Sequence, residues 1–369
     1  MIKKILLLIL SLASLSAVIF FQADYFKLEN ASFLSSSTPS FSPSPSPKPI
    51  SVPSPMPLPE AKTLVNNYHV FQTFNNCGPA SLSMTLSYYG VNKTQEELGQ
   101  ELRPVQNSQG INDDKSVTLE ELADKAKEYD FLPIYRPNGQ IELLKQFITN
   151  DMPVIARTLL AEDEDIGHYR VVKGFDDNAG ELIQDDSLQG HNLKFSYADF
   201  LSLWQKFNYE YLVLVPPGKE VLAKNILGED YEEATAWAKT VARARQDLSK
   251  NPSDIFAGLN LSIALYHLKD FSQAAAEFEK IEDKLSFRTL WYQIEPILTY
   301  FELGNDDKVL AMTEKVFRDQ NVAYSELYII RGKIYQKTGN LILAKQEFEK
   351  AVLYNKNMLA AQEALLSLN

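Results

Sequence analysis

Hydrophobic and polar positions fall into four regimes along this chain of 369 residues. The first is an unbroken apolar run, "ILLLILSLASLSAVIFF" at 5–21, behind Lys3 and Lys4 and ahead of Asp24. As a helix it spans about 26 Å, the short end for a membrane crossing. Lysines before it and an acid after it predict an amino end held inside and a chain that continues outside. An uncleaved anchor and a cleaved signal peptide both fit, since Ser14-Leu15-Ser16 offers the small residues that cleavage needs. The second regime, "SSSTPSFSPSPSPKPISVPSPMPLP" at 35–59, has no periodicity. Proline there fixes φ and removes donors, so the segment reads as an extended spacer of roughly 80 Å.

The third regime, 62–218, mixes helical and strand periods. A helix is predicted to open at Cys77: Pro79 suits a first turn, Asn76 can cap it, and Gly90 suits the far end. Residues 169–175 read as a strand, 176–180 as a turn formed by Asp176 and Asp177, and 181–184 as the returning strand. The stretch "LQGHNLKF" reads as a turn before another strand. The fourth regime, 251–369, repeats. Ser262, Ile297 and Gly332 share one register at intervals of 35, as do Leu265, Tyr300 and Tyr335. Asp270, Asn305 and Asn340 mark equivalent turns; Ala274, Val309 and Ala344 line up on second helices, as do Phe278, Thr313 and Phe348. Small residues let two helices approach, and aromatics fill the gap to the next pair. The second unit is degenerate, with Pro296 inside its first helix. Residues 228–248 read as one connecting helix and 357–368 as a capping helix. The resulting division is 1–22 anchor or signal peptide, 23–61 linker, 62–218 globular domain, 219–250 connector, and 251–369 repeats with cap.

Composition changes this picture little. Hydrophobic content of 45% with 23% charged residues fits a chain able to bury a sizeable core. A net charge of −12 argues against nucleic acid as a partner, which needs a basic surface. A single cysteine excludes an intramolecular disulfide and a multi-cysteine zinc site; no cofactor or metal is implied.

That lone Cys77 is the candidate nucleophile. A helix N-terminus favours thiolate, but a full shift needs an imidazolium. Of the four histidines, His69 lies eight residues upstream, His191 in a turn and His267 in the first repeat. His168, at the start of a strand, is the one a rigid sheet can orient. The returning strand delivers Asp185 to the same end, where a carboxylate can fix the tautomer and stabilise the imidazolium. Cys77, His168 and Asp185 thus form a nucleophile–base–orienter set. Gln72 and the Cys77 N–H are candidate oxyanion donors. The acidic run 161–165 reads as a solvated loop that can line a cleft mouth and favour basic substrates, or loosely hold calcium.

Four stretches, "QTFNNCGPASLSMTL", "LLKQFITNDMPVIARTLL", "GHYRVVKGFDD" and "LIQDDS", resemble the papain-like cysteine peptidases of family 39, the group of bacteriocin leader peptidases. "FSYADFLSLWQKFNYEYLVLVPP" resembles that family's closing helix and strand. The resemblance implies an α+β papain-like domain over 62–217, with Cys77 as nucleophile, His168 as base, Gln72 in the oxyanion hole and Asp185 as orienting acid. The family often has proline after that acid; here Asp186 follows, and the choice between the two stays open. The repeats resemble the tetratricopeptide pattern, one residue longer than its usual period. The expected protein is therefore an exported, membrane-tethered peptidase with a peptide or protein substrate and a second protein partner for the all-α array. The alternatives are a cell-wall peptide amidase or transpeptidase of the same fold, and a non-catalytic binding protein acting through its repeats.

Overall fold

The computed structural model describes residues 57–105, 116–319 and 321–368, all within one compact unit. The apolar run and the Ser/Pro spacer up to residue 56 lie outside the described residues. Among those described, no helix is long and apolar enough to cross a membrane.

The N-terminal half is a seven-stranded antiparallel sheet with helices on both faces. Its elements in chain order are β1 (Ala61–Thr63), α1 (Cys77–Tyr88), α2 (Gln95–Leu102), α3 (Leu119–Lys127), β2 (Leu132–Arg136), α4 (Ile141–Thr149), β3 (Val154–Leu159), β4 (Gly167–Asp176), β5 (Glu181–Asp186), β6 (Gly190–Ser196), α5 (Tyr197–Gln205) and β7 (Tyr211–Val215). The strand order is β2-β7-β3-β4-β5-β6, with β1 pairing beside the far end of β4. Central β3 and β7 are buried at every position; β7 reads as an unbroken apolar run, while β3 carries Arg157 and Thr158 within its buried length. Threonine capping boxes start α2 (Thr94 with Glu97) and α3 (Thr118 with Glu121). The expected hairpin forms: Asp176 accepts the Asn178 N–H at 3.0 Å, and Gly180 takes φ +67°. Both strands run past their predicted ends, β5 reaching Asp186 instead of residue 184. One face packs α4 and α5 through Phe147, Ile148, Phe200 and Trp204. The other packs α1 and α3 through Leu82, Leu86, Leu122 and Ala126.

The C-terminal half is helical: α6 (Glu220–Leu227), α7 (Glu233–Lys250), α8 (Ile255–His267), α9 (Phe271–Glu279), α10 (Thr289–Tyr292), α11 (Glu295–Glu302), α12 (Asp306–Arg318), α13 (Ser325–Lys337), α14 (Leu341–Tyr354) and α15 (Leu359–Leu366). The connector is not one helix from 228. Gly228, with φ +55°, ends α6 and leads through a short turn into α7. Asp270, Asn305 and Asn340, 35 residues apart, each cap the second helix of a pair through the side chain. A Cβ on Gly332 would lie 2.3 Å from the Phe348 ring on the second helix of the same pair, so the small residue lets the two helices approach. Pro296 does not interrupt a helix. It occupies the first turn of α11, where a missing N–H leaves nothing unpaired. The first helix of that pair is therefore split into α10 and α11.

The two halves pack together. Arg243 of α7 lies over the Tyr209 ring and donates to the Gly139 carbonyl at 2.9 Å. Asn260 of α8 donates to the Gln205 carbonyl at 2.6 Å. Near the far end of the array, Asn357 donates to the Glu101 carbonyl at 2.9 Å.

Candidate active site

Asn75, at φ +57°, turns the chain into α1. Asn76 stands at the expected cap position but does not cap. Its side chain donates to Thr73 Oγ1 at 2.7 Å and accepts from Arg103 Nη1 at 3.0 Å. No side chain caps α1, which leaves its first N–H groups to the space around the thiol. Arg103, only 1% exposed, also reaches the Phe74 and Asn75 carbonyls and holds the loop that presents Cys77.

β4 brings His168 beside the Cys77 thiol, close enough for each to shift the other's ionisation. The other side of the ring corrects the sequence reading. His168 Nε2 lies 2.9 Å from Asp186 Oδ1, not from Asp185. Asp185 instead pairs with Lys173 Nζ at 2.7 Å and accepts the Asn192 N–H at 2.9 Å. The reason is register. Asp186 stands opposite Arg170, two residues along from His168 and on its face, whereas Asp185 stands opposite Val171 and so faces the other way.

Asp186 is held from several sides. Its Oδ1 also accepts the Leu188 and Gln189 N–H groups at 2.7 and 2.8 Å. Its Oδ2 lies 3.3 Å from Arg170 Nε, an ion pair without the angle of a hydrogen bond. Gln72 comes to the same place: its N–H donates to the Ser187 carbonyl at 2.7 Å, and its Oε1 accepts from Ser187 Oγ at 2.8 Å.

Burial pushes the Cys77 thiol up, but the His168 hydrogen bond and charge, Arg103 and the Ser116 hydroxyl outweigh it and leave the thiol below its ordinary value. Burial pulls His168 down, while the hydrogen bonds to Asp186 and Cys77 and both their charges leave it raised. Burial pushes Asp186 up, and His168, Arg170 and the Gln189 N–H bring it below the ordinary carboxylate range. The opposite shifts of Cys77 and His168 favour thiolate beside imidazolium.

The remaining histidines stand apart from this pair. His69 Nε2 contacts the Asp186 carbonyl at 2.9 Å, and its ring meets that of His191 edge-on. His267 stacks on Trp237 in the array. In the acidic run, Asp165 is not purely solvated but pairs with Arg288 of the array. Among the described residues, no group of His, Cys, Asp or Glu is placed to hold a metal ion. Sequence reasoning missed Arg103, Ser116 and Arg170. Only Arg170 left a signal, as a charge two residues along the same strand from His168.

The family profile described as "Peptidase_C39 like family" matches residues 63–212. No curated protein matches the chain. Among solved structures, a putative C39-like peptidase from Bacillus anthracis is 17% identical with a TM-score of 0.35, covering 42% of this chain and 96% of its own. The peptidase domain of Streptococcus ComA, a bi-functional ABC transporter of a quorum-sensing pathway, is 26% identical with a TM-score of 0.32, covering 40% and 96%. A double-glycine-motif protease from an AMS/PCAT transporter, in complex with its leader peptide, is 19% identical with a TM-score of 0.29, covering 40% and 89%. With TM-scores this low, the assignment stands on the profile match. The protein is a cysteine peptidase, and residues 63–212 are the part of the chain similar to the C39-like peptidase family.

Proposed function

We propose that this peptidase hydrolyses peptide bonds through a Cys77–His168–Asp186 relay, on the outer side of a membrane to which its N-terminal apolar run tethers it. One observation carries the mechanism: the His168 ring is hydrogen-bonded to the buried Asp186 carboxylate and lies close enough to the only thiol of the chain for each to shift the other's ionisation. With Nε2 taken by Asp186, Nδ1 is the nitrogen left for the thiol. Cys77 Sγ attacks the scissile carbonyl carbon, and the imidazolium gives its proton to the leaving amine as the C–N bond breaks. Water, deprotonated by the now neutral imidazole, then releases the acyl group from sulfur. Asp186 takes the role that sequence reading gave Asp185, orienting the ring and offsetting its charge.

Gln72 is assigned to the oxyanion site. Ser187 holds its Oε1, which leaves the Nε2 end of the amide to donate. The uncapped first turn of α1 adds the Cys77 N–H. One such donor typically contributes about 10²–10³ in rate. The helix pairs with equivalent caps support a tetratricopeptide-like array that recruits a protein or peptide partner.

The test is the pH profile of Cys77 carbamidomethylation by iodoacetamide in the full-length protein, with a peptide-library digest beside it. Reactivity that persists well below neutral pH, disappears in His168→Ala, and accompanies cleavage lost in Cys77→Ala supports the reading. Ordinary thiol behaviour in both proteins overturns it. Carbonate extraction of membranes tests the tether: the full-length chain stays with the pellet, and its release overturns the anchoring.

A further inference from the structure

The array reaches the reaction centre. The split between α10 and α11 places Tyr292, the last residue of α10, against Gly167, the residue before His168. A Cβ on Gly167 would lie 3.0 and 3.1 Å from Cδ1 and Cε1 of the Tyr292 ring, so the ring occupies the space a side chain would take.

Strand alternation tells which side of the sheet this is. Gly167, Tyr169 and Val171 share one face of β4. Tyr169 and Val171 pack in the same cluster as Cys77, and a Cβ on Gly78 would touch Tyr169 at 3.4 Å. Tyr292 itself packs with Leu159 and Phe207 against Gly167, at the start of the strand and next to His168. Its hydroxyl is consistent with that position: burial and then the Cys77 charge push it up to about 12, while the Gly167 N–H draws it back.

The ring is also fixed. Arg157 donates to the Tyr292 carbonyl at 2.5 Å and is itself paired with Glu210 at 3.3 Å. The Phe207 ring meets Tyr292 edge-on with centroids 6.2 Å apart. Four residues earlier, Arg288 pairs with Asp165.

We propose that Tyr292 is a specificity-determining residue: through this one ring, the helical array limits the bulk of the substrate side chain that lies beside Gly167 during attack by Cys77. The proposal rests on the reading of Cys77 and His168 as the reacting pair. Gly167 precedes His168, so on that reading a carbonyl attacked by Cys77 is held near it, and a side chain projecting toward Gly167 meets an aromatic ring held by a backbone hydrogen bond and an edge contact. The catalytic domain supplies the chemistry, and the array supplies part of the selection.

The test needs no knowledge of the natural substrate. Iodoacetamide and iodoacetanilide share a reacting carbon and leaving group and differ by a phenyl ring. In the full-length protein the rate ratio, iodoacetanilide over iodoacetamide, should rise about tenfold or more in Tyr292→Ala, the scale on which a filled pocket discriminates bulk. It should stay within about twofold in Tyr292→Phe and fall in Tyr292→Trp. The Arg157 bond is made to the Tyr292 carbonyl, so the Ala variant keeps it. Should that variant fail to fold, the Phe and Trp proteins still separate the outcomes, the first expected near wild type and the second below it. An unchanged ratio across the folded variants overturns the proposal. So does an acid limb of the iodoacetamide profile that moves in Tyr292→Ala as it does in His168→Ala, because the ring would then support the ion pair instead of filtering bulk. Failure of the catalytic reading looks different: it appears in the wild-type pH profile, whatever the ratios.

Discussion

Exchanging each of two adjacent acids for its amide separates their roles. Asp186 Oδ1 lies 2.9 Å from His168 Nε2, and both side chains are almost wholly excluded from solvent. At that distance the bare attraction to an imidazolium is about 6 kcal/mol for an effective dielectric constant of about 20. Arg170, 3.3 Å from Oδ2, shares the carboxylate and reduces what His168 receives. The net contribution is then about 1.5–3 kcal/mol, the usual range for a hydrogen bond to a charged group, or about ten- to hundredfold in the balance between the two ionisation states. In Asp186→Asn, Arg170 keeps its charge and now opposes the imidazolium, which favours the upper end. Each unit lost from the imidazole's proton affinity shifts the balance tenfold from thiolate–imidazolium toward thiol–imidazole.

The reactive thiolate at about pH 6 should therefore fall about ten- to hundredfold in Asp186→Asn. At about pH 10, where an ordinary thiol is ionised as well, the variant and wild type should react alike. The assay is the second-order rate of carbamidomethylation; with one cysteine in the chain, the adduct that is absent in Cys77→Ala reports Cys77. Asp185→Asn should leave this profile in place. It strips a buried lysine of its partner, so it should instead lower stability by about 3–5 kcal/mol, read as a fall in the urea midpoint. The reasoning is refuted if Asp185→Asn lowers the rate at pH 6, or if Asp186→Asn leaves that rate within twofold of wild type.

Three further outcomes follow from the same structure. Arg103→Gln removes a cation from beside Cys77 and a bond to Asn76; the rate at about pH 6 should fall about threefold to tenfold, and stability by roughly 1.5–3 kcal/mol in urea titration. Burial pushes Glu210 up to about 7 against the pull of Arg157. Because the folded value is raised, its contribution to stability is fully present below the unfolded value of about 4.3 and is lost as pH rises through 7, so the decline of the urea midpoint between pH 6 and 8 should be flatter in Glu210→Gln than in wild type. Gly332→Ala drives a Cβ to 2.3 Å from the Phe348 ring and should lower stability by about 1–3 kcal/mol, whereas Gly180→Ala, at φ +67° with nothing within 4 Å, should lose only about 1 kcal/mol from backbone strain.

Which parts of the site were legible follows from the range of the forces that set them. Cys77 at a helix start and His168 near a strand start are marked by neighbours within a few residues, Pro79 on one side and the Asp176–Gly180 turn on the other. The choice of acid is set by strand register, and a one-residue step reverses the face. A pattern that ends β5 at 184 rather than 186 cannot say which of two adjacent aspartates meets the ring. Asn76 failed as a cap for a similar reason: Arg103, 27 positions on, competes for its side chain, and nothing local signals that competition. The 35-residue period was legible because each pair repeats the same local cap.

Tyr292 was not legible, and the reason joins fold to function. Pro296 reads in sequence as a flaw in a degenerate repeat. In the structure it starts α11 and forces the chain before it, 289–292, into a separate turn. A regular helix there would have kept its side chains within the array. The break instead turns one aromatic ring toward Gly167, while the Arg157–Glu210 pair, buried on both sides at 3.3 Å, holds the backbone at that point through the Tyr292 carbonyl. A buried ion pair is weak as a source of stability, and its use here is to fix where a segment from the other half of the molecule sits. The irregular repeat is thus the one whose geometry the reaction centre needs, and changes at Pro296 or Arg157 should act on which substrates enter rather than on whether the thiolate forms.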